Sequence, residues 1–144
     1  MSSETIAIAA DHAGFALKQT LREELEARGY DVLDLGTDNA ESVDYPDYGH
    51  ALARAIADGR AGRGVLVCGT GLGMSMAANR HAGVRAAVCH DVTSARLARH
   101  HNDANVLALG ARLIGPEVAR DCLETFLEST FAGDRHARRV SKIG

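Results

Sequence analysis

The feature that most constrains the fold is a regular alternation of short apolar runs with longer amphipathic segments. Strands separated by helices pair in parallel through right-handed crossovers. The sequence therefore predicts an α/β fold, a three-layer αβα sandwich around a five-stranded parallel sheet, although the pattern does not give the strand order. The five strand-like runs are Thr5–Ala10, Tyr30–Gly36, Gly64–Cys68, Val84–Cys89 and Asn105–Gly110. Periodicity, capping residues and prolines predict helices over Phe15–Arg28, from Pro46, from about Gly73, over Val92–His100 and over Pro116–Phe131.

Composition is typical of a single globular domain. With 144 residues, 46% of them hydrophobic, the chain can bury a core, and we expect one domain over residues 1–144. A net charge of −3 gives no general electrostatic basis for binding nucleic acid or an anionic membrane. No apolar run approaches the roughly 20 residues of a bilayer span, and Met1–Thr5 lack the layout of a signal peptide. The three widely spaced cysteines are typical of free thiols in a reducing compartment, so we expect a cytoplasmic protein.

The segment Val65–Arg80 combines a thiol with a glycine-rich turn. Cys68 ends a predicted strand, and Gly69, Gly71 and Gly73 follow at alternate positions before the chain turns helical. Glycines let the backbone turn sharply and bring its N–H groups close to a bound oxyanion. A thiolate beside such donors suits proton abstraction from a carbon next to a carbonyl, and it also suits covalent attack. On these residues alone, simple packing of Cys68 is an equally good interpretation.

Other chemistries of glycine loops fit this segment poorly. A dinucleotide-binding fingerprint would place its third glycine one residue after Gly73, which makes it a weak alternative. A cysteine-phosphatase loop would need arginine where the chain has Met74, and a phospho-acceptor domain would need aspartate in place of Cys68. The phosphate-binding loop of nucleotide hydrolases would need a Gly-Lys-Ser/Thr run, which the segment lacks. These last three classes are excluded.

Polar side chains collect at the carboxyl ends of the predicted strands, where parallel sheets bind ligands. Asp11 and His12 follow the first strand, Cys68 ends the third, and His90 and Asp91 follow the fourth. We therefore expect them to share one edge of the sheet. None of them has the spacing of metal ligands, so no metal site is predicted.

Basic residues near the end of the chain have both a structural and a functional interpretation. His100 and His101 compensate a helix dipole if they are structural, whereas histidine also suits acid–base catalysis near neutral pH. The basic tail, residues 131–144, is either a solvated segment or a phosphate site, because guanidinium groups grip phosphate through forked hydrogen bonds. In so small a chain, such a tail could complete the pocket of a neighbouring copy in a dimer.

Five segments carry a resemblance to a known family: "ADHAGFALK", "DYPDY", "CGTGLGMSMAAN", "RHHNDANVLALGARLIG" and "GDRHARRV". In this order, and over essentially the whole chain, they resemble the ribose-5-phosphate isomerase B (RpiB/LacA/LacB) family of sugar-phosphate isomerases. The resemblance implies a Rossmann-like fold and an aldose–ketose isomerase that uses neither a metal nor a cofactor. It also implies a homodimer whose active sites are built from two chains, and the pairing of dimers into tetramers stays open.

The resemblance further implies a role for each matching residue. Cys68 would be the base that moves a proton between C2 and C1 through a cis-enediolate. Thr70 would stabilise the enediolate oxygens or move protons between them. His101, assisted by Asp11, would open the sugar ring. The implied substrate-binding residues are Asn102 for hydroxyls, Tyr45 for the pocket wall, Gly69, Gly71, Gly73 and Ser75 for backbone donors, and His12, Arg112, Arg135 and Arg139 for the phosphate.

Two departures from the family pattern bear on these roles. One branch of the family uses a glutamate at the place held here by Met74, which cannot take a proton, so the implied base remains Cys68. Arg138 stands beside Arg139, which leaves open which guanidinium reaches the phosphate.

The implied substrate pair is ribose 5-phosphate and ribulose 5-phosphate. Isomerisation of allose or galactose 6-phosphate, or of a tetrose phosphate, is an alternative within the same class, because one carbon changes binding only modestly. The alternative from another class is a non-catalytic sensor that binds a sugar phosphate or nucleotide at the same edge.

Overall fold

The computed structural model describes residues 3–144. Met1 and Ser2, which belong to the predicted domain and to its polar amino-terminal segment, lie outside the described residues. The strands are Thr5–Ala10 (β1), Asp31–Asp34 (β2), Arg63–Cys68 (β3), Ala86–Val88 (β4) and Val106–Gly110 (β5). The helices are Phe15–Ala27 (α1), Tyr45–Ala57 (α2), Leu72–Ala78 (α3), Val92–His100 (α4), Pro116–Glu128 (α5) and Arg135–Ser141 (α6).

The five strands form one parallel sheet in the order β2-β1-β3-β5-β4. The α/β prediction is therefore confirmed, and the fold is Rossmann-like. After β1 the chain moves to one side of the sheet, and after β2 it crosses to the other side, so the direction of winding changes between β1 and β3. In open parallel sheets this is the place where a crevice forms outside the carboxyl ends of the strands. Asp11 follows β1 and Cys68 ends β3, so both residues lie at that crevice.

The core has two layers because successive strand residues point to opposite faces of the sheet. On one face, Ile6, Ile8 and Leu107 pack against α1 and α5. On the other face, Ala7, Leu66 and Cys68 pack with Leu52 of α2 and Met74 of α3. The Cys68 side chain therefore faces the α2–α3 layer, which positions it beside the start of both helices.

Four elements differ clearly from the sequence predictions. The predicted strands Tyr30–Gly36 and Val84–Cys89 shorten to Asp31–Asp34 and Ala86–Val88, because β2 and β4 are edge strands with one neighbour each. The predicted helix ending at Phe131 stops at Glu128, where Ser129 adopts an extended conformation. The basic tail, predicted without secondary structure, contains α6, whose residues are all at least partly exposed. A helix that buries nothing has no apolar stripe by which its sequence could be recognised.

A buried ion pair anchors the chain as it leaves β2. Lys18 of α1 is 1% exposed, and its Nζ donates hydrogen bonds to both carboxylate oxygens of Asp34 at 2.7 and 2.8 Å. The Gly36 N–H also donates to Asp34, at 2.9 Å. Desolvation acts against these contacts, but together they hold the pKa of Asp34 below its usual range. The pair therefore stabilises the fold at neutral pH and loses that contribution as pH falls through the lowered pKa.

Within residues 3–144, no helix is both long and apolar enough to cross a bilayer.

Candidate active site

Cys68 occupies the mouth of the crevice between β1 and β3. Cys68 is 5% exposed, and its Sγ accepts a hydrogen bond from the Gly71 N–H at 3.1 Å. A donor aimed at the sulfur stabilises negative charge on it. The thiol therefore lies inside the glycine turn and is in contact with one of its backbone donors.

Two glycines let this turn close around the thiol. Gly71 has φ +80°, in the left-handed region where a side chain is strained, and its Cβ would also lie 3.1 Å from the backbone of Leu109. A Cβ on Gly73 would lie 2.3 Å from the ring of Tyr45. The Tyr45 ring, 43% exposed at the start of α2, can thus lie directly on the turn and form one wall of the site.

The same turn leaves backbone donors free. Within residues 3–144, the N–H groups of Gly69, Thr70 and Gly73 donate to no protein acceptor. The other two expected donors are already engaged, because the Ser75 N–H donates to the Gly71 carbonyl at 3.2 Å and the Gly71 N–H donates to the Cys68 sulfur. The first three groups can therefore bind an oxyanion, whereas substrate contacts of Gly71 and Ser75 stay a prediction.

These groups line a pocket of about 240 Å³ together with one carboxylate and one guanidinium. Asp11 is nearly buried, and its Oδ1 accepts a hydrogen bond from the Gly14 N–H at 3.1 Å. The Arg112 side chain passes close to Gly69 and, within residues 3–144, makes no ion pair. The lining residues are Asp11, Tyr45, Cys68, Gly69, Thr70, Gly73 and Arg112. Such a pocket offers a base, donors for an oxyanion and a cation for a phosphate.

His12 lies next to this pocket with its tautomer defined by a backbone contact. Its Nδ1 accepts a hydrogen bond from the Val43 N–H at 3.1 Å. The ring proton of the neutral histidine is therefore carried by Nε2, which is left as a donor. A donor at this place suits an anionic substrate group.

His101 and Asn102 lie at the opposite end of the strands from Cys68, which we call the amino edge of the sheet. They follow α4 and precede β5, so they lie near the amino ends of the strands. They line a second pocket, of about 330 Å³, together with His136, Arg139 and Ile143. The rings of His101 and His136 stack with centroids 4.4 Å apart and planes 13° apart. Desolvation, followed by the positive charges of His101 and the neighbouring arginines, lowers the pKa of His136.

The two pockets share no residue within a single chain. The length of β5 separates the two edges, which at about 3.3 Å per residue is on the order of 15 Å. One chain therefore brings Asp11, His12, Tyr45, Cys68 and Arg112 together, but it does not bring His101 to Cys68 or to Asp11. A site containing all of them needs two copies of the chain.

The other predicted residues fall into two groups. Asp91 caps α4 by accepting a hydrogen bond from the Ser94 N–H at 2.6 Å, as expected, but neither it nor His90 lines the Cys68 pocket. Arg135 and Arg138 are exposed on α6, and of the tail arginines Arg139 lines the pocket of His101. His136 is a further residue of this pocket, which its place among the basic residues of the tail does not by itself indicate. Its spacing of four and seven residues from Val140 and Ile143 is the signal that places it on the same helix face.

A larger pocket, of about 510 Å³, lies at the amino edge between the end of α3 and the starts of β4 and β5. Its lining includes no thiol and no carboxylate side chain, and it contains Asn102, which also lines the pocket of His101. Its size alone does not make it a site for proton-transfer chemistry. Within residues 3–144, no group of three or more potential metal ligands is present.

Comparison with known proteins gives strong and extensive matches. The model of a protein family described as Ribose/Galactose Isomerase matches residues 6–143. Ribose-5-phosphate isomerase B of Escherichia coli is 46% identical over 96% of this chain and 93% of its own length. D-erythrulose-4-phosphate isomerase of Pectobacterium atrosepticum is 48% identical over 97% and 93%. The structure of ribose-5-phosphate isomerase B from Clostridium thermocellum superposes with a TM-score of 0.96 and 51% identity, covering 97% of this chain and 95% of that one.

Proposed function

The chain belongs to the ribose/galactose isomerase family and is a sugar-phosphate isomerase, and from this premise we propose that it interconverts ribose 5-phosphate and ribulose 5-phosphate. Because the chain is an isomerase, the alternative of a non-catalytic protein that only binds a sugar phosphate or nucleotide is excluded. The observation that carries the proposal is the hydrogen bond from the Gly71 N–H to the Cys68 sulfur, in a pocket where neighbouring N–H groups remain free.

In the proposed reaction, the Cys68 thiolate takes the proton from C2 of the open-chain aldose. The electron pair of the C–H bond forms the C1–C2 double bond, and negative charge moves onto O1. The free N–H groups of Gly69 and Gly73 stabilise this cis-enediolate, which is where preorganised donors contribute most to rate. The thiol then returns its proton to C1.

The hydroxyl proton must also move from O2 to O1 for the ketose to form. Thr70 is suited to this transfer, because its Oγ1 accepts a hydrogen bond from the Leu72 N–H at 3.2 Å and keeps its own hydrogen free to donate. Hydrogen moves between C2 and C1 without net oxidation, so the proposal requires no redox cofactor. In the proposed step the free N–H groups stabilise the charge on O1, which is the task a metal ion would otherwise perform.

We further propose that the enzyme is a homodimer with shared active sites. Cys68 and His101 lie at opposite edges of one chain, so His101 and Asn102 of one copy would meet Cys68 and Asp11 of the other. There His101, assisted by Asp11, would move the protons that open the sugar ring, and Asn102 would hold hydroxyls. His12 and Arg112 would bind the phosphate from one side, with Arg135 and Arg139 of the second copy from the other.

A tetrose phosphate is a second candidate substrate. It is favoured by the relative named D-erythrulose-4-phosphate isomerase, which is as similar to this chain as the ribose-5-phosphate isomerases are. The two substrate classes differ by one carbon, which a pocket discriminates by about 10–200-fold.

A substrate panel tests the proposal. Ketose formation is measured with four-, five- and six-carbon aldose phosphates, each with and without a chelator. We expect the highest kcat/KM for ribose 5-phosphate, by about tenfold or more over the others, and no effect of the chelator. A tetrose phosphate that reacts best would replace ribose 5-phosphate as the substrate, and a rate lost on chelation would contradict the metal-free mechanism.

A further inference from the structure

An acidic loop borders the candidate active site. We use this name for residues 37–47, which contain no lysine or arginine and whose four carboxylate residues are all exposed: Asp38, Glu41, Asp44 and Asp47. The loop is fixed to the site at two points, since the Val43 N–H donates to His12 and Tyr45 lines the Cys68 pocket. The acidic loop therefore lies beside the place where a phosphate is expected to bind.

These carboxylates are electrostatically unfavourable for a phosphate dianion. Two like charges a few ångströms apart near a protein surface repel by roughly 1–4 kcal/mol. Within residues 3–144, none of the four carboxylates makes an ion pair. Cations supplied by a second molecule would reduce this repulsion and strengthen phosphate binding at the site.

A basic stripe with the complementary charge lies on α6. Its residues follow the spacing i, i+3, i+4 and i+7, so they share one helix face: Arg135, Arg138, Arg139 and Lys142. All four are exposed, and none makes an ion pair within residues 3–144. A neighbouring face of the same helix, with His136, Val140 and Ile143, meets the pocket of His101. The stripe is thus held by its own chain at the amino edge, away from the acidic loop of that chain.

We propose that the basic stripe of one copy docks on the acidic loop of a second copy. This inference rests on the proposed shared site, which already requires the amino edge of one chain to meet the carboxyl edge of another. Arg135 and Arg139 remain for the phosphate, and Arg138 and Lys142 pair with carboxylates of the loop. In a twofold dimer the contact forms twice, so its charges also favour this orientation over others.

The test reverses the charge of the basic stripe, first alone and then together with the charge of the acidic loop. The dimer dissociation constant is measured by analytical ultracentrifugation. We expect the variant Arg138→Glu/Lys142→Glu to raise the dissociation constant about tenfold or more at low salt, since two attractive pairs at each of the two contacts become repulsive. Adding Asp38→Lys/Glu41→Lys to the same chain restores complementary charge and should return the constant to near the wild-type value. The effect of reversal should weaken in high salt, where charges are screened.

Arg120→Glu is the matched control, because Arg120 is an exposed arginine of α5 without an ion pair in the described part of the chain. It should leave the dissociation constant unchanged. Dimerisation of the reversed variant at the wild-type constant, or failure of the exchanged variant to recover, would overturn the docking surface, as would a wild-type protein that stays monomeric. Charge-dependent dimers without turnover of any aldose phosphate would support the docking surface and reject the proposed function.

Discussion

Cys68→Ala is expected to abolish isomerisation while leaving the fold intact. Removing a general base costs about 10²–10⁴-fold in rate, and Met74 on the same turn cannot take a proton in its place. Alanine removes the acceptor of the Gly71 N–H, but the turn keeps the hydrogen bonds from the Leu72 N–H to Thr70 Oγ1 and from the Ser75 N–H to the Gly71 carbonyl, so we expect the fold to persist. The measurement is the steady-state rate with ribose 5-phosphate, together with the exchange of the C2 hydrogen with solvent deuterium.

Cys122→Ala is the control for this prediction. Cys122 is a buried thiol of α5, far from the crevice, and burial raises its pKa to about 11, so it stays protonated at neutral pH. Its replacement should leave the rate within about a factor of two of wild type, since a thiol acts as a base only as thiolate. Exchange at C2 that continues near the wild-type rate in Cys68→Ala would contradict the assignment of the base.

Two inactive variants are expected to restore activity when they form a dimer together. Cys68→Ala and His101→Ala each remove one residue from every shared site. In a heterodimer of the two, one site has lost both residues, and the other keeps Cys68 from one copy and His101 from the other. With one intact site of two, the heterodimer should show about half of the wild-type turnover per dimer.

The heterodimer is obtained by co-expression with two different affinity tags, and ribose 5-phosphate isomerisation is assayed. The matched control pairs His101→Ala with the double variant Cys68→Ala/His101→Ala, a combination that leaves no intact site. If the heterodimer of one Cys68→Ala chain and one His101→Ala chain is as inactive as the two parent variants, both residues act within one chain.

The sheet and one half of the site could be predicted from sequence. β1, β3 and β5 are buried on both faces, so their apolar runs are clear. Asp11 and Cys68 end adjacent central strands, so parallel pairing alone brings them to one edge. The glycine spacing predicted the tight turn because Gly71 has a positive φ and a side chain at position 73 would clash with the Tyr45 ring.

The remaining features depend on long-range placement, which local patterns do not encode. The strand order depends on where each crossover packs, and alternation of elements does not specify that. Asp34 fits an alternating strand as a solvent-facing residue, yet it pairs with the buried Lys18. His101 was placed on a helix end correctly, but only the strand order and helix direction show that this end lies opposite Cys68.

A crystal structure of the protein with ribose 5-phosphate tests the central claim most directly, since that claim concerns which groups face C1 and C2. We expect both carbons about 3–3.5 Å from the Cys68 sulfur, the distance at which reacting atoms are aligned. O1 and O2 should accept hydrogen bonds from the free N–H groups of Gly69, Thr70 and Gly73, with His101 of a second copy at O4, the oxygen that closes the sugar ring. A sugar phosphate bound at the amino edge, with the Cys68 sulfur out of contact with its carbons, would contradict the account.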